Sequence, residues 1–124
     1  MALKEHQRLT GTRHKYGNHP TLYDDILFDS KKEAQRYAEL RVLEKAGEIS
    51  SFERQKCYEL QPGFRFKGKW IRPIQYFADF YYYDNKSGEW VVEDVKSQAT
   101  RGNPVYNMKR KMMMYVHHIE IKEV

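Results

Sequence analysis

Trp90-Val91-Val92-Glu93-Asp94-Val95-Lys96 is the stretch on which the reading of this chain turns. In a strand, successive side chains point to opposite faces, so Trp90, Val92, Asp94 and Lys96 share one side while Val91, Glu93 and Val95 share the other. An acid and a lysine thereby stand on one face. Upstream, Asp84-Asn85-Lys86-Ser87-Gly88-Glu89 reads as a hairpin turn with Asp84 facing Glu89, and that register sets Asp79 of Phe77-Ala78-Asp79-Phe80 directly across from Asp94. Facing residues have Cβ atoms about 5 Å apart, where like charges repel unless something positive lies between them. A divalent metal ion suits that gap, and two carboxylates on a metal beside a lysine make a hydrolytic site for a phosphodiester. The plainer alternative is an i, i+2 ion pair of Asp94 and Lys96 on a solvated strand face, with Asp79 merely polar. Apolar company favours the site: Trp90 and Val92 lead into Asp94, and Phe77 leads into Asp79. Charges that continue a hydrophobic face are costly unless paired or metal-bound.

The 124 residues suffice for one core and not for two. A single domain is expected over residues 21–124, behind a flexible basic arm at 1–20 that carries Lys4, Arg8, Arg13, Lys15 and three His without periodicity. The net charge of +5 comes with 10 Tyr, 6 Phe and 2 Trp, a mixture of cations and rings suited to a polyanion with stackable bases. Basic balance by itself serves equally as a solubility feature. The single cysteine, Cys57, excludes an internal disulfide and a cysteine-based zinc knuckle and fits a reducing cytosol; a half-buried strand position is expected for it. No apolar run approaches the roughly 20 residues of a membrane span, and the N-terminus lacks the apolar centre of a signal peptide, so a soluble, intracellular chain is expected.

Along the chain, Thr21 to Asp29 alternates around Asp24-Asp25 and reads as a short hairpin before a helix. Ser30 caps that helix, and Ser-Lys-Lys-Glu puts Glu33 at its third position, as in a capping box. The helix is expected over residues 31–46 with Gly47 as its stop. Glu33 shares the row of Tyr37 and Leu40 and carries two compatible readings: a helix cap, or a third metal ligand aimed at the sheet. Strands are expected over residues 51–60, 64–66, 68–70, 74–83 and 89–96, and Ser97 to Gly102 reads as a flexible loop at the mouth of the site. Asn103-Pro104 opens a second helix to about Val116, with Val105, Met108, Met112 and Tyr115 as its buried stripe, widened by Met113 and Met114. His117-His118 reads as a loop, and Ile119 to Val124 closes the sheet as an edge strand. The expected class is α/β in an α+β arrangement, a central mixed sheet flanked by helices.

That order, with Asp79 before a hairpin and Asp94-Val95-Lys96 beyond it, resembles the PD-(D/E)XK nuclease superfamily. Lys15-Tyr16-Gly17-Asn18, Phe28-Asp29-Ser30-Lys31-Lys32-Glu33-Ala34, Ala78-Asp79-Phe80 and Val91-Val92-Glu93-Asp94-Val95-Lys96 are similar, more closely, to a family of small bacteriophage-encoded endonucleases within it. The resemblance implies a restriction-endonuclease-like core, with Asp79 and Asp94 as metal-binding motif acids, Lys96 as the motif lysine and Glu33 as the acid some branches carry on the first helix. The superfamily's proline before the first Asp is replaced here by Ala78. Tyr106 and Lys109 fall where some branches place further substrate contacts.

On this reading Mg2+ or Mn2+ is held by Asp79, Asp94, the Val95 carbonyl and Glu33, since a hard cation prefers oxygen ligands and no Cys or His cluster favours zinc. Glu93 faces away and is expected to matter less. Lys15, Arg72 and Arg101, with Tyr106 and Lys109, are the expected nucleic-acid contacts, giving affinity without sequence readout. The expected partner is branched or duplex DNA in a bacterial host cytoplasm, with a homodimer cutting two strands. The alternative is a non-catalytic nucleic-acid-binding module that retains the fold.

Overall fold

The computed structural model describes residues 19–124, so all of the expected basic arm but His19 and Pro20, and Lys15 with it, lies outside the described residues. Two short strands, β1 (Thr21–Tyr23) and β2 (Ile26–Phe28), pair as the expected hairpin. Asp24 and Asp25 form its two-residue turn with φ of 56° and 61°, the left-handed geometry that suits the twist of paired strands. Helix α1 (Lys31–Lys45) follows; Ser30 caps it by accepting from the Glu33 amide at 3.1 Å, and Gly47, at φ 77°, turns the chain away after it.

The sheet has four strands in the order β3 (Ile49–Gln61), β6 (Ile74–Asp84), β7 (Glu89–Asp94), β8 (Lys122–Glu123). The first three are antiparallel and β8 runs parallel to β7, so the sheet is mixed and the fold is α+β. Between β3 and β6 the chain makes a separate hairpin, β4 (Phe64–Phe66) with β5 (Lys69–Ile71). The β6–β7 register is the one the turn implies: Asp84 faces Glu89 and Phe80 faces Glu93. Beyond Asp94 the strand is continued by a one-turn helix α2 (Gln98–Arg101) and then helix α3 (Pro104–His117).

Helix α1 covers one sheet face with Ala34, Tyr37 and Leu40 against Phe28, Ile49, Phe80 and Tyr82. Helix α3 covers the other with Tyr106 and Met113 against Tyr58, Leu60, Tyr76, Ala78, Val92 and Ile121, so the sheet divides two cores where the chain length led to the expectation of one. Tyr76 and Ala78 thus serve the α3 core, and Phe80 and Tyr82 further along β6 serve the α1 core. The change falls at Asp79. There the β3–β6 pairing passes from Arg54 with Phe80 to Lys56 with Ala78, and Gln55 between them has φ 53°, a left-handed residue inside a strand.

Several expectations are corrected. The stretch Ser97 to Gly102 is not a loop throughout: Ser97 and Thr100 form a reciprocal capping box around α2. Of the expected stripe, Val105, Met108 and Tyr115 do not face the core, Tyr115 being 86% exposed, whereas Met112 packs against it and Met113 is buried there with Tyr106. Tyr106 decides this rotation, because its ring meets Lys96 and its hydroxyl donates to Glu123 at 2.6 Å, bonds that no residue of the expected stripe offers. His117 ends α3 and His118 is its left-handed cap, rather than both forming a loop. Only Lys122 and Glu123 of the expected last strand pair with β7. Cys57 is exposed. Phe77 and Trp90 are also half exposed, so the apolar approach to the acids is made by Ala78, Phe80 and Val92.

Candidate active site

Past the last β6–β7 pair, Asp79 turns its carboxylate to the other strand, and its Oδ2 accepts from the Val95 amide at 2.8 Å. Asp94 is buried on the α3 face: Oδ1 meets Lys96 Nζ at 3.0 Å and Oδ2 accepts from the Tyr76 hydroxyl. Burial first, and the charge of Asp94 second, hold the Tyr76 phenol above its ordinary pKa, so it stays protonated and donates. Lys96 Nζ also lies 3.4 Å from the centroid of the Tyr106 ring, a cation against a π-face. The strand end is pinned by Lys96 N–H to Val124 O and Val124 N–H to Asp94 O, and by Lys32 Nζ donating to Lys96 O at 2.6 Å.

One cleft of about 270 Å³ has Glu33, Asp79, Asp94, Val95 and Lys96 around it, with Asp29, Ser30 and Lys32 from the α1 end and Ser97 and Thr100 from α2. Glu33 is brought there by the first turn of α1 and is itself buried. Of the four carboxylates on this cleft, Glu33, Asp79 and Asp94 should repel one another, and the electrostatics record it. The Asp79 carboxyl is pushed well above the ordinary carboxylate range by burial first, then by the charges of Glu33 and Asp94; the Val95 amide and Lys96 oppose this.

A carboxyl whose pKa is raised on folding favours the folded state below its unfolded pKa and loses that advantage as pH rises through the folded value. At neutral pH the Asp79 carboxyl therefore lowers the stability of the fold relative to acid. Asp79→Asn, which keeps an acceptor for the Val95 amide, is expected to melt above the wild type at neutral pH without divalent ions. The difference should close on acidification to about pH 4, the ordinary carboxylate range. Calorimetry at both pH values checks this; a variant that melts lower at neutral pH removes the claimed repulsion.

Glu93 lies on the α1 face, wholly buried, as the period of two requires. Its two oxygens accept from Arg36 Nε and Nη2 at 2.8 and 2.6 Å, and the Tyr82 hydroxyl donates to it. The carboxylate in turn raises the Arg36 guanidinium pKa. Glu93 is therefore not a bystander: with Arg36 it fastens α1 to β7, one residue from Asp94 and one helical turn from Glu33.

Of the expected DNA contacts, Arg72 and Arg101 are exposed, and Lys109 lines a groove of about 320 Å³ that shares Lys96 and Thr100 with the cleft. Tyr106 is buried under Lys96. Sequence reasoning missed Lys32, Arg36 and Tyr76. The signal for Glu93 was present, since Val91 and Val95 flank it on its own face.

In kind, the donor set fits a hard divalent cation: carboxylates with a backbone carbonyl nearby and no soft ligand. Among the described residues, no three His, Cys, Asp or Glu side chains form a ready-made ligand group. Each Asp94 oxygen meets one protein group, Lys96 on Oδ1 and Tyr76 on Oδ2, and each keeps a second lone pair that a cation could take.

Fold and cleft define a small α+β domain with an acid-lined, lysine-bearing cleft at the seam of two cores. Residues 13–124 match the family described as a protein of unknown function (DUF1064), and the chain belongs to it. No curated protein and no solved structure matches the chain. Among the described residues, no helix is long and apolar enough to cross a membrane.

Proposed function

We propose that this protein is a metal-dependent endonuclease with a restriction-endonuclease-like core of the PD-(D/E)XK kind, hydrolysing phosphodiester bonds of branched or junction DNA in phage DNA processing in a bacterial cytoplasm. One observation carries the reading: Glu33, Asp79 and Asp94 converge on a single cleft beside Lys96, and the Asp79 carboxyl is held above its ordinary pKa by burial and then by the other two acids. Asp79, Asp94, the Val95 carbonyl and Glu33 would hold Mg2+ or Mn2+. When bound, such an ion supplies Lewis-acid stabilisation of a phosphoryl oxygen and lowers the pKa of the attacking water.

The chain's own residues do the rest. Lys96 brings a cation to the rim where phosphate charge develops, held there by Asp94 and the Tyr106 ring. Lys32 fixes the carbonyl of Lys96 and adds a second cation to the cleft. Arg72, Arg101 and Lys109 suit phosphate contacts that position DNA without reading its sequence. A homodimer would let two such sites cut two strands.

A non-catalytic nucleic-acid-binding module is the second reading, favoured by the closed pair of Asp94 and Lys96. A metal titration separates the two. Mn2+ or Mg2+ is expected to raise the melting temperature of the wild type by mass action, and Asp79→Asn with Asp94→Asn should abolish the response. Cleavage of junction and linear DNA, with and without Mg2+, then tests the activity. A wild type that shows neither the thermal response nor cleavage supports the binding module instead.

A further inference from the structure

The hairpin of β4 and β5 packs into neither core. Every residue of both strands is exposed, including Phe66 at 59% and Trp70 at 56%. Lys67 and Gly68 make its two-residue turn with φ of 51° and 78°, a geometry that closes a ribbon tightly. Phe64 faces Ile71, Phe66 faces Lys69 and Arg65 faces Trp70, so Phe64, Phe66, Lys69 and Ile71 share one surface. The Trp70 ring is seated on Gly63, where a Cβ would fall 2.3 Å from it. Lys67 Nζ lies 5.5 Å from the Phe66 centroid.

Charge is as uneven as exposure. Residues 60–78 contain Arg65, Lys67, Lys69 and Arg72 and no acid. The ribbon's base also bears on the cleft: Ile74 starts β6 five residues before Asp79, about 17 Å along an extended strand.

We infer that the β4–β5 ribbon is the element that recognises DNA branches, stacking unpaired bases on Phe66 on one surface and on Trp70 on the other while Arg65, Lys67, Lys69 and Arg72 hold the flanking phosphates. Exposed rings interleaved with cations match the two parts of a single-stranded nucleotide, a π-face and a phosphate. In a continuous duplex the base faces are already stacked on each other. They become available at forks, flaps, junctions and ends. The inference rests on the proposed action on branched DNA and names the part that selects it.

Binding in EDTA separates this claim from catalysis. Fluorescence anisotropy is measured with a forked DNA bearing two unpaired arms and with a blunt duplex of the same sequence. The wild type should prefer the fork. Phe66→Ala with Trp70→Ala should weaken fork binding by about tenfold or more while changing duplex binding little. Lys67→Ala with Lys69→Ala should weaken both and reduce the salt slope by about 2. A second measurement needs no change in the ribbon: Trp90→Phe leaves Trp70 as the sole tryptophan, and the fork should quench its emission where the duplex does not. Equal quenching by both, or a fork preference unchanged in the double aromatic variant, overturns the inference even if the protein cleaves DNA. So does a dimer that the aromatic variant dissociates without altering the fork preference. Ribbon-dependent fork binding without cleavage leaves the inference standing and removes only the nuclease assignment.

Discussion

Asp94→Asn is expected to lower Mg2+-dependent cleavage by about a thousandfold or more, the effect of losing several kcal/mol of transition-state stabilisation. The argument runs through the residue's position. Asp94 is in direct contact with Lys96, and it shares the cleft with Glu33 and Asp79. Neutralising it removes a hard ligand and releases Lys96 from its partner at once. Lys96→Ala, which leaves all three acids, should lower the rate while preserving the thermal response to Mn2+. Binding of DNA in EDTA should survive in both variants, since neither removes a phosphate-holding cation outside the cleft. If Asp94→Asn, shown to be folded, cleaves at about the wild-type rate, the assignment of the cleft as the active site fails.

Arg36→Ala should be the most damaging single change to stability outside the apolar cores. Glu93 is wholly enclosed and Arg36 is its cation, bonded through two nitrogens. Removing the partner of a buried charge costs about 3 to 5 kcal/mol, because the remaining ion has neither water nor counter-charge. Glu93→Gln should cost less. Its Arg36 side chain is 21% exposed and keeps Glu39 at 2.9 Å, so the leftover cation is partly hydrated and paired. Denaturant unfolding of both variants gives the order; equal losses would show that the two ends of the pair are equally enclosed. Because Arg36 stands one turn from Glu33, Arg36→Ala is also expected to blunt the Mn2+ response even where the protein is folded.

The parts of this architecture that a reader can extract from residue order are those set by short range. Asp84 facing Glu89 fixed the β6–β7 register, and the period of two then sorted Asp94 and Lys96 from Glu93 onto different faces. Ser30 and Gly47 marked the limits of α1 because a cap and a left-handed stop are local chemistry. The partners of the acids were not legible. Arg36 and Glu93 are 57 residues apart and Lys32 and Lys96 are 64 apart, distances at which no local pattern connects them. Helix α3 shows the limit differently. Its amphipathic period was correct and its rotation was not, because Tyr106 looks polar enough for solvent until Lys96 and Glu123 are placed beside it. The left-handed Gln55 inside β3 had no signal at all, since neither glycine nor asparagine marks it.

At that irregularity β3 and β6 pass from one core to the other, with Asp79 at the crossing. The two halves of the cleft therefore answer to separate packing. Repacking around Leu40 and Phe80 would move Glu33 directly with its helix and reach the ammonium opposite only through the Lys32 bond to the Lys96 carbonyl, whereas repacking around Met113 and Ile121 would move Tyr106 and the Lys96 it meets. Such a domain can be retuned one wall at a time, with the acid on the dividing line as the fixed point between them.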